Sequence, residues 1–367
     1  MPGEGSWVGL DVHARSVIGC AIDESAGEIR SQRIGARNDQ IVDWVRAQPG
    51  PVVACYEAGP TGFGLARALH AAGVPCEVVA PSKLERPAGD KVKTDRRDAE
   101  RLARLLRIGE LPGVRVPTEA EEAARDLVRA REDCRGDLMR ARHRLSKLLL
   151  RQGLVWEHSA WTGAHEDWLR SHRFDRRGVQ LAFDEALDTV FTVHARRDRL
   201  DAAIEEMAAT EPLAGPVGRL RCLRGVSTLT ATALCVEVAD WHRFTGSTIG
   251  AYLGLVPSEF SSGARRVQGP ITKTGNGHAR RLLVEAAWHH RRPLRASRER
   301  ARRADGQPAA VRDRAEAGNR RLHQRWCRLE QRGKRPTISA VAVARELAGW
   351  CWSLAMLDQD RHDSPAV

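Results

Sequence analysis

Long apolar runs are missing. No stretch of the 367 residues approaches the roughly 18 needed to cross a bilayer. The first residues, MPGEGSWVGLDV, carry neither a basic segment nor the apolar core of a secretory leader. A membrane-spanning protein and a secreted one are therefore not expected. Regular cysteine spacing is missing too. The eight cysteines are scattered without a C-x-x-C, and Cys20, Cys55, Cys76 and Cys351 sit in apolar runs as small core residues. That pattern excludes a disulfide scaffold and fits a reduced, cytosolic setting. No G-x-x-x-x-G-K-[ST] run occurs, so nucleotide hydrolysis at a phosphate loop is not expected. Aromatics make up only 5%, which leaves little for base stacking. Acids are outnumbered: 47 Asp+Glu face 59 Lys+Arg, for a formal charge of +12. With 42% hydrophobic residues the chain can bury cores, and two or three domains are expected. Its simplest partner is a polyanion, nucleic acid first.

The richest stretch is residues 93–103, KTDRRDAERLA. It lacks Gly and Pro, and Ala99, Leu102, Leu105 and Leu106 continue an apolar face, so a helix is expected. Asp95 and Asp98, three apart, lie about 60° apart around a helix and can reach one point. Two such acids repel unless a cation intervenes, supplied by Lys93, Arg96 and Arg97 or by a divalent metal. An isolated D-x-x-D is usually only a solvated pair. Its surroundings decide otherwise. Strands are expected over 7–12, 16–22, 28–35, 51–56 and 76–80, and helices over 38–47, with Asn38 as N-cap, and 60–72. This is an α/β domain, a mixed sheet covered by helices. Asp11 interrupts the apolar V-G-L-D-V strand, and Glu57 closes the strand before G-P-T-G. Asp11, Glu57, Asp95 and Asp98 at one sheet edge suit hard divalent cations such as Mg²⁺. Two such ions can stabilise the attacking and leaving oxygens of a phosphodiester.

Downstream, Pro117, Thr118 and Glu121 start a helix running to about residue 152. Cys134, Leu138, Ala141, Leu145 and Leu148 form a coiled-coil seam along it. A second helix is expected over 184–209, the two pairing as an antiparallel arm that serves assembly or offers RNA a basic rail through Arg140, Arg142, Arg144, Lys147 and Arg151. Trp156, Trp161 and Trp168 between them read as packing anchors. Residues 223–237, LRGVSTLTATALCVE, read as a Gly-containing turn opening a helix, helix-hairpin-helix-like, whose amides suit a phosphate. Residues 252–276 read as a loop rich in Gly, Ser and Thr. From 261 to 303, twelve Arg or Lys stand against Glu285 and Glu299, so a DNA backbone is the natural partner. Expected contacts are Arg265, Arg266, Lys273, Thr274, Asn276, Arg280 and Arg281, with Arg96 and Arg97 from the acidic stretch. A serine in this loop can attack phosphorus or merely bind phosphate. Residues 295–320 read as generic, a mobile helix or an RNA contact, and 358–367 as a tail.

Three blocks, GLDVHA, YEAGPTGFGLARAL and KTDRRDAERLA, resemble the signatures of the DEDD insertion-sequence transposases. PSEFSSG and GPITKTGN resemble the core of that family's C-terminal domain, and RRLLVEAAW and SAVAVARELAGW extend the likeness. The resemblance implies a RuvC-like, ribonuclease-H-type domain over 1–112, a coiled-coil arm over 113–210, a transposase domain with a serine loop over 211–303, and C-terminal helices over 304–367. It implies a recombinase of the bacterial cytoplasm and nucleoid, guided by a noncoding bridge RNA. The family acids fall on Asp11, Glu57, Asp95 and Asp98, holding Mg²⁺. The nucleophile falls on Ser261, with Ser262 and Ser258 close in register. Strand exchange then calls for a dimer or tetramer acting on donor and target DNA. The rival readings are a Holliday-junction-type nuclease that uses water and a catalytically dead nucleic-acid scaffold.

Overall fold

A computed structural model describes residues 5–81, 84, 94–260, 267–295 and 297–357. The chain divides into two units, Met1–Glu119 and Ala120–Val367. In the first, β1 (Ser6–Val12), β2 (Ser16–Asp23), β3 (Ile29–Gly35), α1 (Asn38–Arg46), β4 (Val52–Glu57), α2 (Gly64–Ala71), β5 (Cys76–Val79), α3 (Asp95–Arg107) and β6 (Gly113–Val114) follow in order. The strands form one sheet, β3-β2-β1-β4-β5-β6, mixed as expected, with the two-residue β6 as a sixth strand that local pattern does not mark. β1 pairs antiparallel with β2 and parallel with β4. Side chains alternate across it. Val8, Leu10, Ala54, Tyr56 and Val78 meet Ile41 and Val45 of α1 and Leu65 and Leu69 of α2. On the other face Trp7, Val53 and Cys55 meet Leu102 and Leu106 of α3.

Two local expectations change. Arg37, not Asn38, is the N-cap of α1: its backbone is extended and Asn38 is already helical. Residues 60–63 form a turn before α2, which starts only at Gly64.

The second unit contains α4 (Glu119–Arg151), α5 (Gly163–Ser171), α6 (Arg177–Ala208), α7 (Ala214–Leu220), α8 (Thr228–Val238), α9 (Ile249–Tyr252), β7 (Pro257–Glu259), β8 (Gln268–Ile271), α10 (Gly277–Trp288), α11 (Arg298–Ala304), α12 (Ala309–Gln331) and α13 (Pro336–Met356). Leu138, Ala141, Leu145 and Leu148 of α4 pack against Phe183 and Val190 of α6. Arg131 pairs with Asp201 at 2.6 Å, so the two helices run antiparallel. α6 begins ahead of residue 184 because Phe183 is drawn into that contact against Phe174. The tryptophans pack as anchors: Trp156 and Trp168 lie 5.3 Å apart. Arg142, one of the basic residues along α4, lies over Trp161 at 4.3 Å.

Most of the remaining helices share one apolar core around Leu234, Leu283, Leu322 and Leu347. Pro336 opens α13, which is buried along Ala340, Val343, Ala344, Leu347 and Cys351. All eight cysteines are free, seven of them buried, as small core residues should be. Residues 252–276, expected as a loop, contain the antiparallel pair β7–β8. Residues 295–320, expected as generic, enter the core through Val311, Ala315 and Asn319, because Asn319 satisfies the Arg224 amide and the Cys222 carbonyl. Among the described residues no helix is long and apolar enough to cross a membrane. Residues 358–367 lie outside the described ones.

Candidate active site

In β1 and β4, Leu10 stands opposite Tyr56. One residue further on, Asp11 and Glu57 leave adjacent strands at the same level, and alternation turns both toward α3. That helix lies directly on β1. A Cβ added at Gly9 would fall 2.1 Å from the Ala99 carbonyl oxygen and 2.6 Å from the Ala103 nitrogen, so only glycine fits there. The contact lays the start of α3 beside Asp11. Thr94 caps the helix, its hydroxyl accepting from the Arg97 amide at 3.3 Å, and Asp95 is the first helical residue.

His13 Nε2 lies 3.1 Å from Asp11 Oδ2 and 3.8 Å from Asp95 Oδ1. Ligand atoms of Asp11, His13 and Asp95 all fall within 4.8 Å of one another. Burial raises the Asp11 pKa above its usual 3.8; His13 opposes this, and the charges of Asp95 and Asp98 add to it. A divalent cation would relieve that repulsion, and an oxygen-rich set with one imidazole fits Mg²⁺ or Mn²⁺. Half-buried Asp98 sits one turn along α3 from Asp95 and half-buried Glu57 sits one strand over. Neither belongs to the tight three-residue group. His13, expected only within a turn joining two strands, follows Asp11 by two positions in an extended chain. That spacing was the signal for its facing the same way. Arg96 and Arg97 stand exposed on the same first turn.

The second cluster of expected residues surrounds β7 and β8. Ser261, Ser262, Arg265 and Arg266 lie outside the described residues, as does Lys93. Ser258 donates its hydroxyl to the Pro270 carbonyl at 3.1 Å, across the hairpin. The Phe260 amide donates to the Val267 carbonyl at 2.9 Å, which carries the pairing one step past the ends of the two strands. The Phe260 ring is 75% exposed. After β8, Lys273 is exposed with a left-handed φ of 56°, and the hydroxyls of Thr272 and Thr274 lie 3.1 Å apart. Gly275 takes φ 67° with its Cα against the Tyr252 carbonyl, where a Cβ would fall 1.9 Å away.

The base of the hairpin is held by polar contacts. Asn276 caps α10, its Oδ1 accepting from the Ala279 amide, while its Nδ2 donates to Glu237 at 2.6 Å. Arg280 donates to the carbonyls of Leu253 and Thr274 at 3.0 and 2.8 Å. Arg281 bonds Glu285 at 2.6 Å and also Glu132. The Glu237 side chain is only 1% exposed and receives Arg129, Asn276 and His278. Burial alone would push its pKa up, but those bonds and the Arg129 charge bring it down to about 2. This network ties α4 and α8 to the start of α10. Sequence reasoning missed it, although a glutamate inside the apolar run LCVEV was a usable sign.

Comparison with known proteins covers both halves. Residues 8–152 match a transposase family of the DEDD, IS110 type, and residues 217–302 match the IS116/IS110/IS902 family of transposases. The putative transposase y4qE of Sinorhizobium fredii is 39% identical over 360 residues, 95% of this chain and 88% of that one. The transposase for insertion sequence element IS1533 of Leptospira borgpetersenii is 35% identical over 339 residues, 90% of this chain and 98% of that one. The transposase for IS1111A of Coxiella burnetii is 25% identical over 282 residues, 76% of each chain.

Proposed function

Because the chain belongs to the IS110 family of transposases, we propose that it excises and inserts a mobile DNA element by serine attack on DNA phosphodiesters, guided by a noncoding bridge RNA. The first unit is then a RuvC-like domain whose Asp11, Glu57, Asp95 and Asp98, joined by His13, hold Mg²⁺. The observation that carries this reading is the convergence of Asp11 and Asp95 on one face of the sheet, with Asp98 close enough to raise the Asp11 pKa. When bound, the metal supplies positive charge to the oxygens of the scissile phosphate. The carboxylates orient that charge, and Arg96 and Arg97 attract the flanking phosphates.

Ser261 is the nucleophile. Its Oγ forms a bond to phosphorus while the bond from phosphorus to the 3′-oxygen breaks, and the serine proton ends on the departing 3′-hydroxyl. The product is a phosphoserine ester, which a 3′-hydroxyl of the exchanged strand later attacks to restore Ser261. One phosphoester replaces another at each step, so no ATP is consumed. Arg265, Arg266, Lys273 and Thr274 hold the strand, while Asn276, Arg280 and Arg281 fix the hairpin that carries the serine. The protein meets the RNA through shape and phosphates, in keeping with its few aromatics. The α4–α6 arm serves assembly as a coiled coil.

Labelled DNA incubated with protein, Mg²⁺ and guide RNA should leave label on the denatured protein. Asp98→Ala should abolish that adduct and keep RNA binding, and Ser261→Ala should abolish it as well. Cleavage without an adduct, undiminished in Ser261→Ala, would instead identify a nuclease that uses water. Cleavage by no preparation would identify a scaffold.

A further inference from the structure

The turn from α7 into α8 and the second half of α10 enclose a cavity of about 800 Å³. Arg221, Arg224, Arg292, Arg295 and Arg303 line it, with Ser227 and Thr230 at the start of α8. Its two acids are already engaged: Glu299 pairs with Arg303, and Glu285 with Arg281 at 2.6 Å. Arg221, Arg292 and Arg295 have no carboxylate partner among the described residues, and the half-buried Arg221 has a buried Nε without an acceptor. Ser227 caps α8 by accepting from the Thr230 amide at 3.2 Å, which leaves the amides of Thr228 and Leu229 at the helix end without an intrahelical acceptor. A second hollow of about 430 Å³ shares Arg221, Ser227 and Arg303 and adds Arg302; Glu205 and the Arg303-paired Glu299 also line it, so three arginines face two acids and the surface continues as a path of smaller positive excess.

We infer that this path is a cradle for the phosphodiester backbone of DNA, separate from the serine hairpin. Three features select the ligand. The guanidinium groups of Arg221, Arg292 and Arg295, which have no carboxylate partner among the described residues, stand beside helix-end amides and match phosphate oxygens. Neither hollow has a Phe, Tyr or Trp in its lining, so no base or free nucleotide finds a stacking surface. An open path holds a chain better than a compact anion. The position selects DNA. α10 has 12 residues, starts at the hairpin and ends at the cavity, about 18 Å further on at 1.5 Å per residue. That span is about five base-pair steps at 3.4 Å each, so a duplex gripped at the hairpin continues over the arginines. The inference rests on the proposed role of the hairpin for the choice of DNA, while the cradle chemistry stands on its own residues.

The test uses the full chain and a fluorescent duplex of arbitrary sequence, with anisotropy read across a series of salt concentrations. Replacing the exposed pair, Arg292→Ala with Arg295→Ala, should weaken binding about tenfold and lower the slope of log K against log salt by about two. Arg292→Lys with Arg295→Lys should restore the slope. Arg221→Ala should act in the same direction, and the exposed pair carries the test if that variant fails to fold. A wild-type slope in the double alanine variant overturns the cradle. Loss confined to a single-stranded RNA probe, with duplex binding intact, overturns the choice of DNA. The slope reads binding and not chemistry: a water-using reaction with no Ser261 adduct would defeat the proposed mechanism and leave this result untouched.

Discussion

Asp11 is placed under load. It is half-buried, with Asp95 and Asp98 adding negative charge beside it. Without a cation that arrangement weighs against folding, and with one it becomes a preorganised ligand set. Asp11→Asn should therefore raise the melting temperature of metal-free protein by a few degrees. The same variant should lose the additional rise that MgCl₂ gives the wild type. A metal-free variant that melts below the wild type, followed by differential scanning fluorimetry, would contradict the account. That Asp11 and Asp95 come together could be expected from residue type and spacing, because an aspartate in an apolar strand needs an explanation. His13 was harder to single out, since a histidine near a turn has many ordinary uses.

Among elements, the joint between α4, α8 and α10 depends on one buried carboxylate. Glu237 is held at about 2, below its usual 4.5, so its stabilisation is fully present above 4.5 and is lost as the pH falls toward 2. Glu237→Gln should cost about 2 kcal/mol at neutral pH, since charged hydrogen bonds are lost while Arg129 and His278 keep their places. Urea melts between pH 5 and 2.5, at about half-unit steps, should show the wild type losing stability and the variant much less; parallel curves would place the acid sensitivity elsewhere. This joint also marks where sequence reading stops. The sheet came through because alternation and Gly-bounded runs are local signals. The helices of the arm came through because their apolar seam repeats. The hairpin of β7 and β8 did not, because its strands are three and four residues long, and the segment that follows them is fixed by contacts of Gly275, Asn276 and Arg280 with Tyr252, Glu237 and Leu253 that no local pattern records.

For the whole molecule, strand exchange needs at least two cuts held together, so more than one 40.6 kDa chain should sit on the DNA. Mass photometry of protein with guide RNA and DNA should give a dimer or tetramer, and a single-chain complex would contradict the exchange mechanism. Under the proposed mechanism each copy needs both family-matched regions, residues 8–152 with the acids and 217–302 with the serine loop. Gly9 shows how narrow that dependence is. It binds nothing and carries no charge, yet it is the gap through which α3 comes down onto β1. One methyl group there would lift Asp95 away from Asp11 and leave every reacting residue in the chain unchanged. If the acids act as proposed, Gly9→Ala should cost activity from a position that carries no chemical group, while every proposed site residue stays in the sequence.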